Sequence, residues 1–248
     1  MNAILQVGDR TITAEEVIPL LAKYQLLPQL CREILVDQAI AAVECTPDEI
    51  TNACQQFYQK NQVMSEPERQ VWLERQGMTH EQVESLTIRG LKLEKFKQAT
   101  WGNKLESYFL KRKGQLDRVV YSLIRINDAA IAQELYFRIH EGEQPFAELA
   151  RDYSQGPEAQ TGGLVGPVEL NTPHPALAQM LTVSKPGQLW PPMRLGEWFI
   201  IVRLEKFFPA QLDEPMRQRL LNELFNTWVQ EQLQQQQASL HSSKAATP

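Results

Sequence analysis

The chain has 248 residues, of which 43% are hydrophobic and 22% charged, with a formal net charge of −5 and a pI near 5.5. This composition is ordinary for a globular protein of one large or two modest domains. It argues against nucleic-acid binding, which needs clustered Lys and Arg, and no apolar run approaches the roughly 20 residues that span a bilayer. The N-terminus lacks a signal-peptide pattern, so we expect a cytoplasmic protein, or a periplasmic one if its N-terminus was trimmed.

Cysteine and histidine usage gives no sign of a metal or redox site. The cysteines are odd in number and form no CxxC pair, and the histidines are scattered, so we expect no metal, no cofactor and no disulfide framework. The residues concerned are Cys31, Cys45 and Cys54, and His80, His140, His174 and His241.

The N-terminal region is predicted to be helical after a short β-like segment from Ile4 to Val7. A helix that Thr13 caps comes first, and a second runs from about Leu30 to Val43. Capping boxes at Thr46, Ser65 and Thr79 then mark three further helix starts, because each residue is followed three positions later by Glu or Gln.

The pattern changes beyond Leu116, after a helix predicted over residues 104–113 and stopped by Gly114. From there the order of elements is that of a small α+β domain. We predict a strand from Val119 to Ile126, helices from Asp128 to His140 and Pro145 to Tyr153, a turn-rich stretch with little regular structure over residues 155–196, and a strand from Trp198 to Phe207.

A final helix is predicted from Asp213 to about Gln236. Its apolar residues recur every four positions, so this face must pack on other apolar surface, most simply on the N-terminal helices. The stripe consists of Met216, Leu220, Leu224 and Trp228, and residues 237–248 are expected to be a disordered tail.

Four short motifs resemble the parvulin family of prolyl isomerases, also called the PpiC family. Residues 145–154, Pro-Phe-Ala-Glu-Leu-Ala-Arg-Asp-Tyr-Ser, resemble its F-A-x-L-A-x-x-x-S helix, and Gly162-Gly163 follow as in that family. Residues 185–188, Lys-Pro-Gly-Gln, resemble its K-P-G turn, and residues 196–201, Gly-Glu-Trp-Phe-Ile-Ile, resemble its last strand. Their order implies a parvulin-type domain over residues 117–208.

The helices around this segment resemble those of SurA and PrsA, and residues 7–13 are typical of such modules. The resemblance implies an α+β fold in which a small parvulin-type domain is inserted into a helical, chaperone-like domain. We therefore expect a helical domain over residues 1–116, the parvulin-type domain over 117–208, a helix over 209–236 that returns to the N-terminal domain, and the tail over 237–248.

The chain departs from the parvulin pattern at the positions that carry its polar groups. The family's first histidine corresponds to Tyr121, its last histidine to Trp198, and the acidic residue after Gly-Gly to Leu164. The usual Met and Phe of the pocket correspond to Pro173 and Leu177. The catalytic residues are therefore unassigned, although isomerisation needs no nucleophile, since it rests on preferential binding of the twisted amide.

The replacements still offer an apolar site for a proline ring. A second interpretation is that these large side chains fill the space where a pocket would be. The residues predicted to bind a substrate are Tyr121, Leu123, Leu164, Leu177, Met180, Leu195 and Trp198.

Three functions remain open from the sequence. The first is a folding factor that binds unfolded or proline-containing polypeptide, with isomerase activity weak or lost. The second is an active prolyl isomerase with an altered pocket, and the third is a dedicated accessory protein of an export system. The expected partners are accordingly polypeptides, an export-system component under the third hypothesis, and neither nucleic acid nor a membrane span.

Overall fold

The computed structural model describes the backbone of residues 3–245 and the side chains of residues 6–235. Contacts divide the chain into two compact units. The first unit consists of Met1–Leu105 and Arg217–Pro248, and the second is the continuous segment Glu106–Met216. The predicted α+β class is confirmed, because the chain combines helices with a four-stranded sheet. None of the helices in the described part is long and apolar enough to cross a membrane.

The first unit is helical apart from an N-terminal hairpin in which Val7 pairs with Arg10. Its elements are β1 (Ala3–Val7), β2 (Arg10–Thr13), α1 (Ala14–Lys23), α2 (Leu27–Ile40), α3 (Pro47–Lys60), α4 (Glu66–Gln76), α5 (His80–Trp101) and, from Arg217 onwards, α10 (Glu214–Ala245).

The three predicted capping boxes are confirmed at the starts of α3, α4 and α5. At Thr46 the backbone N–H of Glu49 donates to the threonine hydroxyl at 3.3 Å. In return, the Glu49 carboxylate accepts from the Thr46 backbone N–H at 2.8 Å. Each box satisfies two backbone donors that would otherwise lack partners, which is why Thr46, Ser65 and Thr79 begin helices.

Helix α10 packs against the N-terminal helices, as its apolar stripe predicts. Phe225 and Val229 of α10 form a buried cluster with Val36 of α2, and aromatic residues of α5 cover this cluster. The buried amine of Lys97 donates to the Asn222 side chain at 2.6 Å, which adds a polar contact between α5 and α10.

The buried face of α10 is displaced by one position from the predicted stripe. Leu221, Phe225 and Val229 are buried together with Leu220, whereas Leu224 and Trp228 are half-buried. Both four-residue series fall within the apolar arc of more than about 100° that a core-facing helix presents, and the choice between them depends on the packing partners.

The second unit is built on an antiparallel sheet of strand order β4-β3-β6-β5. Its elements are α6 (Leu105–Leu116) from Glu106 onwards, β3 (Arg118–Ile126), α7 (Ala129–His140), α8 (Phe146–Tyr153), β4 (Leu164–Glu169), α9 (Pro175–Val183), β5 (Leu189–Leu195) and β6 (Trp198–Phe208).

Helices cover both faces of this sheet, because alternate residues of the central strands point to opposite sides. Tyr121 and Leu123 of β3 belong to a core with Leu177 and Leu181 of α9. Ile124 lies in a second core with residues of α7 and α8. The face that α9 covers is the one that carries the candidate site.

Residues 155–196 are more regular than predicted. They contain β4, α9 and β5, because their prolines and glycines lie at places that suit them. Pro175 is at the start of α9, where no backbone N–H is needed. Pro191 and Pro192 fall at an irregularity of the edge strand β5, where a missing donor is tolerated.

Some predicted helix boundaries are wrong by a few residues. Gly114 does not stop α6, which continues to the fully buried Leu116. Burying that leucine outweighs the cost of about 1 kcal/mol for glycine inside a helix. Helix α2 begins at Leu27 and ends at Ile40, three residues earlier at each end than predicted.

The predicted tail over residues 237–248 lies outside the described side chains, and the last three residues lie outside the described backbone. Helix α10 extends to Ala245. The disorder of the tail, like the predicted domain boundaries, stays a prediction.

We predict that Phe225→Ala lowers the free energy of unfolding of the first unit by about 3–5 kcal/mol, because it leaves a cavity among α2, α5 and α10. Urea denaturation followed by tryptophan fluorescence measures this, since Trp101 and Trp228 contact the Phe225 ring. Leu86→Ala is the control, since Leu86 is 52% exposed. An equal loss of stability in both variants would contradict the packing described.

Candidate functional site

A cavity of about 220 Å³ lies on the face of the sheet that α9 covers. It is smaller than the roughly 300–1,000 Å³ of pockets for drug-sized ligands, and its size suits one ring or side chain. Its lining consists of Tyr121, Leu123, Arg125, Pro173, His174, Leu177, Leu195, Trp198 and Ile200.

The pleat of the two central strands places most of this lining. Tyr121, Leu123 and Arg125 alternate along β3, so their side chains lie on the same face of the sheet. Trp198 and Ile200 do the same at the start of β6. The strands are held in register by backbone pairing from Arg118 with Phe208 to Ile126 with Phe199, which fixes these five side chains relative to one another.

Five of the seven predicted substrate-binding residues line the cavity, namely Tyr121, Leu123, Leu177, Leu195 and Trp198. The other two do not. Leu164 is 49% exposed on β4, where it pairs with Ser122 of β3. Met180 lies on α9 and packs, half-buried, against the core behind the cavity.

Four lining residues were absent from the predicted set. Arg125 and Ile200 follow Leu123 and Trp198 by two positions, so strand alternation alone would have identified them. Pro173 was matched to a pocket position of the family, and His174 follows it. His174 caps the N-terminus of α9, and its ring Nδ1 accepts a hydrogen bond from the backbone N–H of Ala176 at 3.3 Å.

The Tyr121 hydroxyl is one of the few polar groups among the lining side chains. Burial raises the pKa of the Tyr121 phenol, and the nearby positive charge of Arg125 only partly opposes this. The side chain therefore stays a neutral O–H group at neutral pH. Within the part of the chain that the structure describes, no hydrogen bond involves this hydroxyl.

Arg125 is held beside the cavity by a buried carboxylate. Its Nε donates to Glu158 Oε1 at 2.8 Å and its Nη2 donates to Oε2 at 2.6 Å, in a bidentate pair. The Ser154 hydroxyl also donates to Glu158 Oε1, at 2.7 Å. Gly156 lies so close that a Cβ there would meet both charged side chains.

Hydrogen bonds keep both Arg125 and Glu158 ionised. Burial opposes the charge of Glu158, yet hydrogen bonds from Arg125 and Ser154 outweigh it, so the pKa of that carboxyl lies below its ordinary value. The hydrogen bonds to Glu158 raise the pKa of Arg125 in turn. The pair therefore links β3 to the turn ahead of β4 as two full charges.

The Gly162-Gly163 pair brings this turn against β3. The Gly163 backbone N–H donates to the carbonyl of Glu158, and its carbonyl accepts from the Leu123 N–H, each at 2.8 Å. Its φ is +84°, and a Cβ there would come within 2.9 Å of both the Leu123 carbonyl oxygen and the Phe146 ring. Glycine is required at this position both by conformation and by space.

No group of three or more His, Cys, Asp or Glu side chains that could hold a metal occurs among the described residues. Beside an apolar wall, the lining side chains carry one phenol hydroxyl, one guanidinium, one imidazole and the indole N–H of Trp198.

Known proteins resemble the part of the chain that contains most of the cavity lining. Residues 125–206 match the model of the rotamase family, described as the PPIC-type PPIASE domain. The chaperone SurA of Pseudomonas savastanoi is 32% identical over 106 residues, which are 42% of this chain and 24% of SurA. The chain thus spans about a quarter of the length of the curated relatives it matches. These matches confirm the parvulin-type domain inferred from the sequence and its likeness to SurA.

Solved structures of similar proteins include PrsA, a peptidylprolyl isomerase from Bacillus cereus. It is 20% identical with a TM-score of 0.43, and the match covers 100% of this chain and 93% of that one. Another is the parvulin domain of PpiD from E. coli, which is 26% identical with a TM-score of 0.34, covering 40% of this chain and 97% of that domain.

We predict that Glu158→Gln lowers the free energy of unfolding of the second unit by about 3 kcal/mol, because it leaves Arg125 without its counter-charge. In the wild type, the ionised Glu158 carboxylate stabilises the folded state fully above pH 4.5, which is the ordinary pKa of a glutamate. This stabilisation is lost as the pH falls through the lower pKa that Glu158 has in the folded state. The variant should lack this acid dependence.

Urea titrations of both proteins between acid and neutral pH, with unfolding followed in the second unit, measure the effect. Glu141→Gln is the control, since the Glu141 side chain is 64% exposed. If Glu158→Gln kept the full acid dependence, the ion pair would not be its source.

Proposed function

Since residues 125–206 form a PPIC-type parvulin domain, we propose that this protein is a folding factor that binds unfolded or proline-containing polypeptide and whose prolyl isomerase activity is weak or lost. The cavity between Tyr121 and Trp198 is the observation that carries this proposal. It remains open, with a size that suits one proline ring, although aromatic residues occupy the family's histidine positions. This supports retained binding rather than a filled pocket.

Weak catalysis follows from the chemistry of the lining. The barrier to rotation about an X-Pro bond is roughly 18–20 kcal/mol, and a catalyst must bind the twisted amide better than either planar form. Organised hydrogen-bond donors usually supply most of that preference. Here Trp198 replaces one polar group, and Leu164, at the position of another, lies on β4 outside the cavity.

The first unit offers apolar surface for unfolded segments. Helix α1 is amphipathic, yet none of its residues is buried. On α2 and the residue before it, Leu26, Leu30 and Ile34 are spaced four apart, so they share one face, and they are 44%, 37% and 47% exposed. Exposed apolar patches of this kind usually mark interaction sites. We name this set the α2 stripe.

One observation favours an active isomerase with an altered pocket as the second candidate. The Tyr121 hydroxyl lies at the cavity and, within the described residues, makes no hydrogen bond to the protein. It is therefore free to donate to a substrate amide. A single neutral donor is a smaller contribution than the polar network of the family, so this candidate ranks second.

We predict weak or undetectable acceleration of X-Pro isomerisation, measured by NMR exchange spectroscopy on a short proline peptide. Tyr121→Phe should leave this low rate unchanged, whereas Trp198→Ala should weaken peptide binding, because it removes one wall of the cavity. Robust turnover that disappears in Tyr121→Phe would contradict the proposal and establish the second candidate.

We predict that the intact protein suppresses aggregation of an unfolded model protein, and that Leu30→Ser combined with Ile34→Ser removes most of this effect. The reason is that binding depends on apolar surface, so it should also vary little with salt. Light scattering of the unfolding client measures suppression.

Ile131→Ser combined with Phe137→Ser is the matched control, since these α7 residues are 39% and 52% exposed. If both double variants lost suppression equally, the α2 stripe would not be the specific site of client binding. If the wild-type protein did not suppress aggregation but bound one export-system component tightly, the folding-factor proposal would be wrong. The dedicated accessory protein would then be the better hypothesis.

A further inference from the structure

The cavity has an uneven distribution of charge. Of its lining residues in the described part of the chain, Arg125 alone carries a permanent charge, and none is acidic. His174 is charged only when protonated. The counter-charge of Arg125, Glu158, is not a lining residue, and its side chain is 2% exposed, against 32% for Arg125. The ion pair therefore presents its positive end to the cavity.

Glu158 occupies only one edge of the guanidinium. It takes one N–H from Nε and one from Nη2, which leaves three of the five N–H donors of an arginine. Among the described residues, no partner binds Nη1. The two bonds to Glu158 also fix the plane of the guanidinium, so the remaining donors are oriented before any ligand arrives.

The carboxylate of Glu158 does not compete for a ligand at this edge. Its Oε1 accepts from both Arg125 and Ser154, and its Oε2 accepts from Arg125. Both oxygens are thus hydrogen-bonded behind the cavity wall. At the cavity itself the Tyr121 hydroxyl is a second donor beside Arg125. A ligand therefore meets apolar wall and donors, a combination that favours an anionic acceptor attached to a nonpolar ring.

We propose that this cavity selects polypeptide segments in which a carboxylate side chain, Asp or Glu, is adjacent to a proline, and that Arg125 determines this preference. The inference rests on the proposed function, because it assumes that a proline ring enters the cavity. Neighbouring Cα atoms are about 3.8 Å apart, so a side chain next to a seated proline is within reach of the cavity wall. Arg125 acts here as a specificity-determining residue.

The test compares four short peptides, with Glu-Pro, Gln-Pro, Pro-Glu and Pro-Gln at the centre, in titrations followed by NMR on the full-length protein. We expect the better of the two glutamate peptides to bind about tenfold more tightly than its glutamine counterpart, since charge-assisted hydrogen bonds are about twice as strong as neutral ones. The difference should shrink at high salt. The two glutamate peptides show on which side of the proline the carboxylate lies.

Replacing Arg125 alone would leave the buried Glu158 carboxylate without its counter-charge and destabilise the domain. The variant is therefore Arg125→Gln with Glu158→Gln, which keeps two polar side chains of similar size. It should lose the preference for glutamate, so that the ratio of its affinities for the glutamate and glutamine peptides falls to about one.

Arg203→Gln with Glu205→Gln is the matched control. Arg203 lies on the same sheet with the same 32% exposure and an ion pair to Glu205 at 2.8 Å, but it does not line the cavity. This control should retain the full preference. His174→Asn, which keeps a capping side chain at the start of α9, should retain it as well.

Equal affinity of the wild type for glutamate and glutamine peptides would overturn this inference while leaving the proposed function intact. Loss of the preference in His174→Asn, with retention in the Arg125/Glu158 variant, would also overturn the role of Arg125. Failure of all four peptides to bind would instead overturn the proposed binding of proline at the cavity, and this inference with it, whereas suppression of aggregation tests the α2 stripe separately.

Discussion

The pairing of β3 with β6 is the constraint on which the candidate site depends. These strands are the two central ones of the sheet, and their register runs without a gap from Tyr121 to Ile126. Because side chains alternate, a shift of β3 by one residue against β6 would turn the side chains of one strand to the opposite face. Tyr121 and Trp198 would then lie on different faces of the sheet and could not line the same cavity. The local arrangement of donors and apolar wall is thus a consequence of backbone pairing rather than of any one side chain.

Aromatic residues at the positions of the family's two histidines change the functional groups that β3 and β6 place in the cavity. A histidine on β3 or β6 would supply an ionisable donor and acceptor, whereas Tyr121 supplies one neutral hydroxyl and Trp198 supplies mainly a wall. The lining keeps the shape needed to hold a ring and has fewer groups that respond to rotation about an amide. Under the proposed function, the cavity would bind a proline ring without the groups that make rotation about the amide fast.

Local signals predicted the elements well where one residue determines an element boundary. Thr46, Ser65 and Thr79 begin helices for reasons contained in four consecutive residues. These capping interactions are of short range, and the sequence contains them completely. Tyr121, Leu123 and Trp198 were instead assigned to one site through the resemblance to the parvulin pattern, and all three line the cavity.

Predictions that depended on distant packing were less accurate. Helix α9 was not predicted, so nothing in the sequence indicated which way the Met180 side chain would point. It packs against the core cluster of Tyr121 and Leu177 and does not line the cavity. Leu164 was placed by its position after Gly-Gly, but β4 pairs at the sheet edge and directs it outward. Arg125 was overlooked because a charged residue near the end of a strand is ordinarily solvated. Its role depends on Glu158, 33 positions further along the chain.

The discontinuity of the first unit has a consequence for the order of folding. The second unit is one continuous segment, Glu106–Met216, and all its sheet contacts are available once that segment has been synthesised. The first unit lacks Phe225 and Val229, which complete its aromatic cluster, until the chain beyond Arg217 has emerged. Domains fold as units during synthesis, starting from the N-terminus. In this protein the inserted segment is therefore complete first. The N-terminal helices keep an apolar face exposed until α10 has been synthesised and packs on it.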